Sequence, residues 1–435
     1  MNGITTPPGG DEEAAATVRA QQASALGLGI ALALVLLELA LRVAPQAISP
    51  KMLVLFEPGL RASIASGTYP LQNEFRSIER DDGGPPLFVE LPRTRIVSVD
   101  EPQDHATRFT DEAGFCNPPG RYEGHDRIDV IAIGDSFTWC HALVPEKAWP
   151  ALLGERDGVS TFSLGLGGNG PYEYLQLLES FGLAKHPRVV VMNVYGGNDL
   201  RDAQRYMDYH EAVEQGRQPP SDGPQPIAPE LLASSVGRHS YALNLLLAAA
   251  SQLAAGAATG WERTGIDFHY RIDVEGGDLA FNVENRDRDE VVMARRLVAG
   301  TTSPQVWEAA LRRFASMARD HGFSAVVTYT PSAHVTYAGH VRFSDPSIEP
   351  LLTRLDEEQR DFLASRAPAL GILFDDLTPE LRAAASDRGA GSLLYDPVHM
   401  HLSARGNVVL ADAVGSFLRE RGLVGSAAVV ANAQP

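Results

Sequence analysis

Apolar positions along this chain are patterned in three different ways. From 24 to 44 it reads SALGLGIALALVLLELALRVA. That run is apolar all round rather than striped and close to the length that crosses a bilayer. Glu38 and Arg42 interrupt it one helical turn apart, so they can pair along one face, and Arg42 can reach the interface. Residues 1–23 are mostly small and polar, with acids at Asp11, Glu12 and Glu13, and are expected to form a disordered tail. Residues 45–125 are rich in Pro, Gly and charge, the pattern of a connector with a few short strands.

From Arg127 onward the pattern changes. Near-continuous apolar runs occur at 127–133, 159–165, 188–195, 324–331 and 372–376, as in strands buried on both faces of a parallel sheet. Helical patterns fall between them, at 146–155, 171–184, 304–321 and 346–365. The alternation predicts a doubly wound α/β domain over 126–424. An insertion at about 200–300 breaks the rhythm. It holds a Pro-rich piece, an Ala/Leu helix near 240–256 expected to pack as a lid or cap, and a charged run, FNVENRDRDE, expected to be a solvated helix start. The last helix should begin after Ser403 as N-cap, with Val409, Leu410, Val414, Phe417 and Leu418 on one face. Residues 425–435 are expected to be a flexible tail.

Charge and cysteine usage narrow the function. The net charge of -18 repels phosphate backbones and argues against a nucleic-acid partner. Two cysteines, Cys116 and Cys140, make neither a disulfide framework nor a zinc-finger pattern. They flank the first strand and its following turn, and are expected to form a bridge, which requires an oxidising compartment. The basic residues beside the apolar segment, Arg19 before it against Arg42 and Lys51 after it, lean the other way, towards a cytoplasmic domain.

The strongest chemical signal is IAIGDSFTWC at 131–140. A buried strand ends at Gly134, and Asp135 and Ser136 follow at the strand-to-helix turn, where open α/β sheets build their sites. Thr138 replaces the second Gly of the G-x-S-x-G elbow, so this is a different turn. The second strand runs into LGLGGNGP at 164–171 and the third into YGGND at 195–199. A backbone N–H from a Gly loop and an Asn amide are suitable donors for the oxyanion of ester hydrolysis. YDPVHMHLSARGN at 395–407 offers an Asp and two His as orienter and base.

In this order the four pieces resemble the SGNH/GDSL hydrolase superfamily, over about 127–200 and 322–420. The resemblance implies a flavodoxin-like three-layer α/β/α sandwich with a parallel sheet, here preceded by one N-terminal transmembrane helix. It makes Ser136 of GDSF the nucleophile. Gly168 of SLGLGG, Asn198 of GGND and the Ser136 N–H become the oxyanion donors. The base is His399 by D-x-x-H spacing from Asp396, or His401 by its register to Ser403 and Gly406. Asp396 orients either one. The chain departs from the pattern at Ser163, where an Asn is usual, and at Val398, which takes the Asp position if His401 is the base. No metal or organic cofactor is implied.

The anchor followed by GFCNPP and GDSFTWC is similar to bacterial membrane-anchored members whose domain lies outside the cytoplasm. That implies a single pass through the cytoplasmic membrane by residues 24–44 and a small acyl ester, on a small molecule or a cell-envelope glycan, as substrate. Three alternatives stay open: an O-acyltransferase on cell-surface polysaccharide, a non-catalytic anchored glycan-binding or assembly protein, and a metal site made of His399, His401 and Asp396. Asp199 reads as a helix cap, and Trp139 and Trp149 as core or pocket wall.

Overall fold

A computed structural model describes residues 10–48, scattered positions between 52 and 64, 75–78, 87–97, 107–217 without 142, 228–258, and 266–425 without 284, 286 and 390. Tail residues 1–9 and 426–435, and most of the Pro-rich piece, lie outside the described residues. The chain divides into two compact units, one of residues 1–70 with 221–263 and one of 71–220 with 264–435.

In the first unit, helix α1 (Gly10–Val43) starts well before Ser24. Residues 10–23, expected in the tail, are therefore helical, because EEAAATVRAQQA is made mostly of strong helix formers. Within α1, Gln21–Val43 has a mean hydropathy of 2.3 and is 6% buried, long and apolar enough to cross a membrane. Glu38 and Arg42 pair at 2.7 Å, and both also serve the inserted Ala/Leu helix, α5 (Tyr241–Ala258). The Glu38 carboxylate accepts from Ala242 N (2.8 Å), Tyr241 N (3.2 Å) and Ser240 Oγ (2.9 Å). Arg42 donates to the carbonyl of His239 at 2.5 Å. An acid from one helix thus satisfies the otherwise unpaired first-turn amides of another. Asn244 of α5 donates to Gly237 O and Ser240 O and accepts from Glu57 N. This helix packs on α1 within the first unit.

The second unit is built on a five-stranded sheet: β5 (Val130–Gly134), β6 (Thr161–Ser163), β7 (Val189–Tyr195), β10 (Ser324–Thr330) and β12 (Leu373–Asp376). Every pairing is parallel, in the order β12-β10-β7-β5-β6. Each of the five apolar runs became one of these strands. Numbered along the sheet domain the order is 2-1-3-4-5, the flavodoxin-like arrangement. Helix α2 (Trp149–Asp157) connects β5 to β6, and α3 (Pro171–Leu177) returns from β6 to β7. Helices α7 (Glu308–His321) and α8 (Glu349–Ala369) continue in that second direction. Right-handed crossovers then put α2 on one face and α3, α7 and α8 on the other, giving three layers. Helix α9 (Ala404–Glu420) packs on α2 and is capped by Ser403, whose Oγ accepts from Gly406 N at 3.0 Å.

The connector contributes two antiparallel hairpins, β1 (Phe75–Ile78) with β2 (Leu87–Glu90) and β3 (Arg95–Val97) with β4 (Thr107–Phe109). The insertion is shared between the units. Only its middle joins α1, whereas α4 (Asp199–Glu214), the strands β8 (Tyr270–Val274) and β9 (Gly277–Phe281), and α6 (Arg288–Val298) belong to the sheet unit. There β8 lies between β9 and β11 (Val341–Phe343) in a separate antiparallel sheet.

Cys116 and Cys140 form a disulfide, with Cα atoms 6.0 Å apart and a sequence separation of 24. Both are buried, beside Ala148, Trp139 and Leu143. Asn117 continues this tie. It accepts from Ser163 N (2.7 Å) and donates to Ser163 O (2.9 Å), fixing the connector to the edge strand β6. Closing a loop of this size contributes about 3 kcal/mol. Cys116→Ser is therefore expected to lose about that much stability in urea unfolding, and the native parent to resist thiol labelling until reduced. Equal unfolding midpoints for parent and variant would refute the bridge's contribution.

Candidate active site

The turn after β5 is set by close packing. A Cβ at Gly134 would meet Thr138 Oγ1 at 2.1 Å and Asn193 O at 3.1 Å, so only glycine fits. Beyond it Asp135, fully buried, accepts from Phe137 N at 2.8 Å. Its carbonyl accepts from Thr138 N and Trp139 N. Asn193 in β7 braces the turn from the next strand. Its Oδ1 accepts from Thr328 (3.0 Å) and Thr330 (2.7 Å), and its Nδ2 donates to Thr138 Oγ1 at 3.3 Å. The result holds Ser136 at the carboxyl end of β5, partly exposed.

Asn198 stands beside it, as N-cap of α4 at the end of β7. Its Nδ2 donates to Asp202 at 3.1 Å. Asp202 is fully buried between Arg201 (2.7 Å) and Arg205 (3.3 Å). Asp199 does not serve as the cap. It accepts from Tyr174 Oη (2.6 Å) and Tyr195 N (3.0 Å), buried behind the loop. The second loop passes beside Ser136. A Cβ at Gly167 would lie 3.6 Å from that of Ser136, whereas Gly168 turns into the left-handed region, at φ +79°, and its carbonyl accepts from Arg205 at 2.8 Å. Neither glycine lines the cavity described next. Ser163, where an Asn is usual, ties the loop back to the turn by donating to Thr138 O at 3.1 Å.

The loop before α9 brings in both histidines. It is closed by the Tyr395–Leu402 bridge and by Asp396 N donating to His401 O at 2.8 Å. Met400 between the histidines takes a left-handed φ of +66°. Asp396 Oδ1 accepts from Val398 N (2.7 Å) and His399 N (3.1 Å) and lies 3.5 Å from His399 Nε2. His399 Nδ1 accepts from His401 N at 3.2 Å and also meets His401 Nδ1 at 3.2 Å. His401 in turn stacks on Phe137, next to Ser136 (centroids 5.1 Å).

Ser136, Asn198, His399 and His401 line one cavity of about 200 Å³. Its remaining wall corrects the reading of the charged run. Asp287, Asp289 and Glu290 face the cavity with Arg201 rather than forming a solvated helix start. Arg201 pairs with Asp289 at 2.5 Å. Glu290 is buried, accepting from Ser332 Oγ at 2.6 Å and lying 2.8 Å from His334 Nε2. His141 is not among the residues lining the cavity, but it touches one of them, a contact that sequence reasoning missed. Its ring stacks on His401 at 3.8 Å and 17°. One ring nitrogen from each of His141, His399 and His401 lies within 4.8 Å of the other two. The signal in sequence was its place five residues after Ser136, directly after a bridged cysteine. Trp149 is core and Trp139 packs beside the disulfide.

Burial dominates the electrostatics. It raises Asp135 to about 7, with the Asp202 charge adding to the rise and hydrogen bonds from Phe137 N, Ser136 and Asn198 opposing it. Burial likewise raises Asp202 to about 6 against the pull of Arg201 and Arg205. Asp287 is pushed to about 7 by burial and by the charge of Glu290.

No family model matches this chain, and no curated protein matches it. Among solved structures it is similar to an acetyl xylan esterase, AlAXEase, at 17% identity over 67% of this chain and 100% of that one, with a TM-score of 0.33. A putative lipolytic protein of the G-D-S-L family from Desulfitobacterium hafniense DCB-2 gives 14%, 67% and 99%, with 0.31. The acetylxylan esterase Axe2 from Geobacillus stearothermophilus gives 15%, 69% and 97%, with 0.33.

The raised acids make a pH prediction. When unfolded, Asp135 ionises near 3.8; when folded, it holds its proton to about 7. Its contribution is present below the lower value and lost as pH rises through the upper one. Asp135→Asn should therefore become progressively more stable relative to the parent between about pH 4 and about pH 8, read from paired urea midpoints. A difference that does not change with pH would contradict the buried, protonated carboxyl.

Proposed function

We propose that the chain is a serine-dependent acyl-ester hydrolase with Ser136 as nucleophile. The observation that carries this is the cavity itself. It gathers the serine from one strand end, an amide donor from the next and two imidazoles from the C-terminal loop.

The hydrogen bonds support His401 as the base. The backbone N–H of His401 can only donate, so His399 Nδ1 is an acceptor and the His399 proton sits on Nε2, towards Asp396. His401 Nδ1 then donates to His399 Nδ1, which leaves Nε2 of His401 as the lone pair that takes the Ser136 proton. Asp396 and His399 together fix the tautomer of the base. The freed Ser136 Oγ attacks the ester carbonyl, and His401 returns the proton to the leaving alcohol. Water, deprotonated by the same nitrogen, then clears the acyl-enzyme. The Asn198 amide, held by Asp202, and the Ser136 N–H would face the oxyanion, with the glycine loop at 167–168 as the third donor.

The acidic wall disfavours anionic substrates, and the small cavity suits a short acyl group. A neutral hydroxylated carrier such as a glycan fits both. The disulfide favours an oxidising compartment over the charge count around α1, and residues 24–44 would hold the enzyme to the membrane. Transfer to a sugar hydroxyl in place of water would use the same residues.

With the full chain in detergent and short aryl esters, Ser136→Ala is expected to lose about 10⁴-fold or more while folding normally. His401→Ala should fall nearly as far, His399→Ala less, and Asn198→Ala about 10²–10³-fold. A fluorophosphonate should label the parent and not Ser136→Ala. Hydrolysis undiminished in a folded Ser136→Ala would end this reading.

A further inference from the structure

We propose that His141, His399 and His401 form a divalent transition-metal site, of the kind zinc occupies, and that a bound ion inhibits the hydrolase by taking its base. The inhibition rests on the serine mechanism above; the site does not. Three imidazoles are a sufficient ligand set for Zn²⁺. Nothing in the proposed chemistry needs the third ring. His141 nevertheless lies in this cluster, with one nitrogen of each ring inside 4.8 Å of the others.

The spacing is close to what an ion requires. Two nitrogens 3.2 Å apart, each bonded to a metal at about 2.05 Å, subtend roughly 100° at it, near the tetrahedral angle. His399 Nδ1 and His401 Nδ1 stand at that separation. His141 is stacked flat on His401, and parallel rings aim their lone pairs side by side rather than at one point. Loading therefore turns His141 off the stack and displaces the His401 N–H from His399 Nδ1. Both movements cost free energy, so the site binds reversibly instead of holding a permanent structural ion.

The proton balance explains the inhibition. In the active tautomer His401 carries its proton on Nδ1 and accepts at Nε2. Coordination needs the Nδ1 lone pair, so that proton moves to Nε2. The ring stays neutral and nothing leaves the site, but Nε2 is now a donor and cannot take the Ser136 proton.

The test uses full-length protein in detergent. Co²⁺ titration of the parent and of Ser136→Ala should give one equivalent with the visible absorption of tetrahedral nitrogen coordination. His141→Phe keeps a ring to stack on His401 but has no ligand atom. It should lose the absorption, label with fluorophosphonate like the parent, hydrolyse aryl esters at the parent's metal-free rate, and resist Zn²⁺ at concentrations that inhibit the parent tenfold. Chelator should restore the parent. Absence of the Co²⁺ band in both proteins, or a band that survives His141→Phe, would overturn the site. A saturating band with unchanged hydrolysis would overturn the inhibition, as would activation by Zn²⁺. A band lost in His141→Phe, in a parent whose Ser136 never labels even after chelation, would remove the serine mechanism and the inhibition together while the ion site stood.

Discussion

The sheet reverses its direction of growth between β5 and β7, and the site depends on that reversal. The first crossover leaves β5 towards β6 and the next returns past it to β7. The connections leaving the two adjacent strand ends therefore run to opposite faces, which opens a crevice between them. Ser136 follows one of those strands and Asn198 follows the other. The backbone there would spread if it were unbraced. Asn193 braces it by joining β7 to the turn after β5 through Thr138 and to β10 through Thr328 and Thr330. Four polar side chains in the middle of an apolar sheet hold one another and leave little freedom at the turn.

Around that crevice the chain keeps an unusual density of buried acid. Asp135, Asp199 and Asp202 are all fully buried close to one another, and each is raised by burial. Two arginines on α4 offset only Asp202 directly. Carboxyls that remain protonated can donate hydrogen bonds as well as accept them, which is how several acids share so small a volume. The acidity of the chain as a whole thus continues into its site.

The sheet was legible because β5, β6, β7 and β10 are buried on both faces: runs such as RVVVMNVY contain no polar phase to misread. The disulfide, the Ser403 cap and the Glu38–Arg42 pair were legible as well, since each involves residues set by short spacing or by a lone pair of cysteines. What sequence could not show is what arrives from far along the chain. FNVENRDRDE looks like a solvated run by composition. Only the packing of α6 against α4 and α8 turns Asp287 and Glu290 inward. The cluster of His141 with His399 and His401 has no motif spacing, because the latter two are more than 250 residues away. The tie between the glycine loop and the next helix, Arg205 donating to the Gly168 carbonyl, likewise has no local signature.

The junction of Glu38 with the first turn of α5 matters to anyone preparing a soluble version of this protein. The obvious cut lies at the end of the apolar stretch, near residue 45. It would remove the apolar segment and also the carboxylate on Ser240, Tyr241 and Ala242, together with the guanidinium on His239. Helix α5 would start with bare amides, and Leu41 would be missing from the small core it shares with Ile48, Phe56 and Ala248. A shortened chain that aggregates would then report a lost helix cap, not an intolerant sheet unit. Retaining residues from about 34 onward, with polar replacements at the exposed leucines, would keep that junction intact.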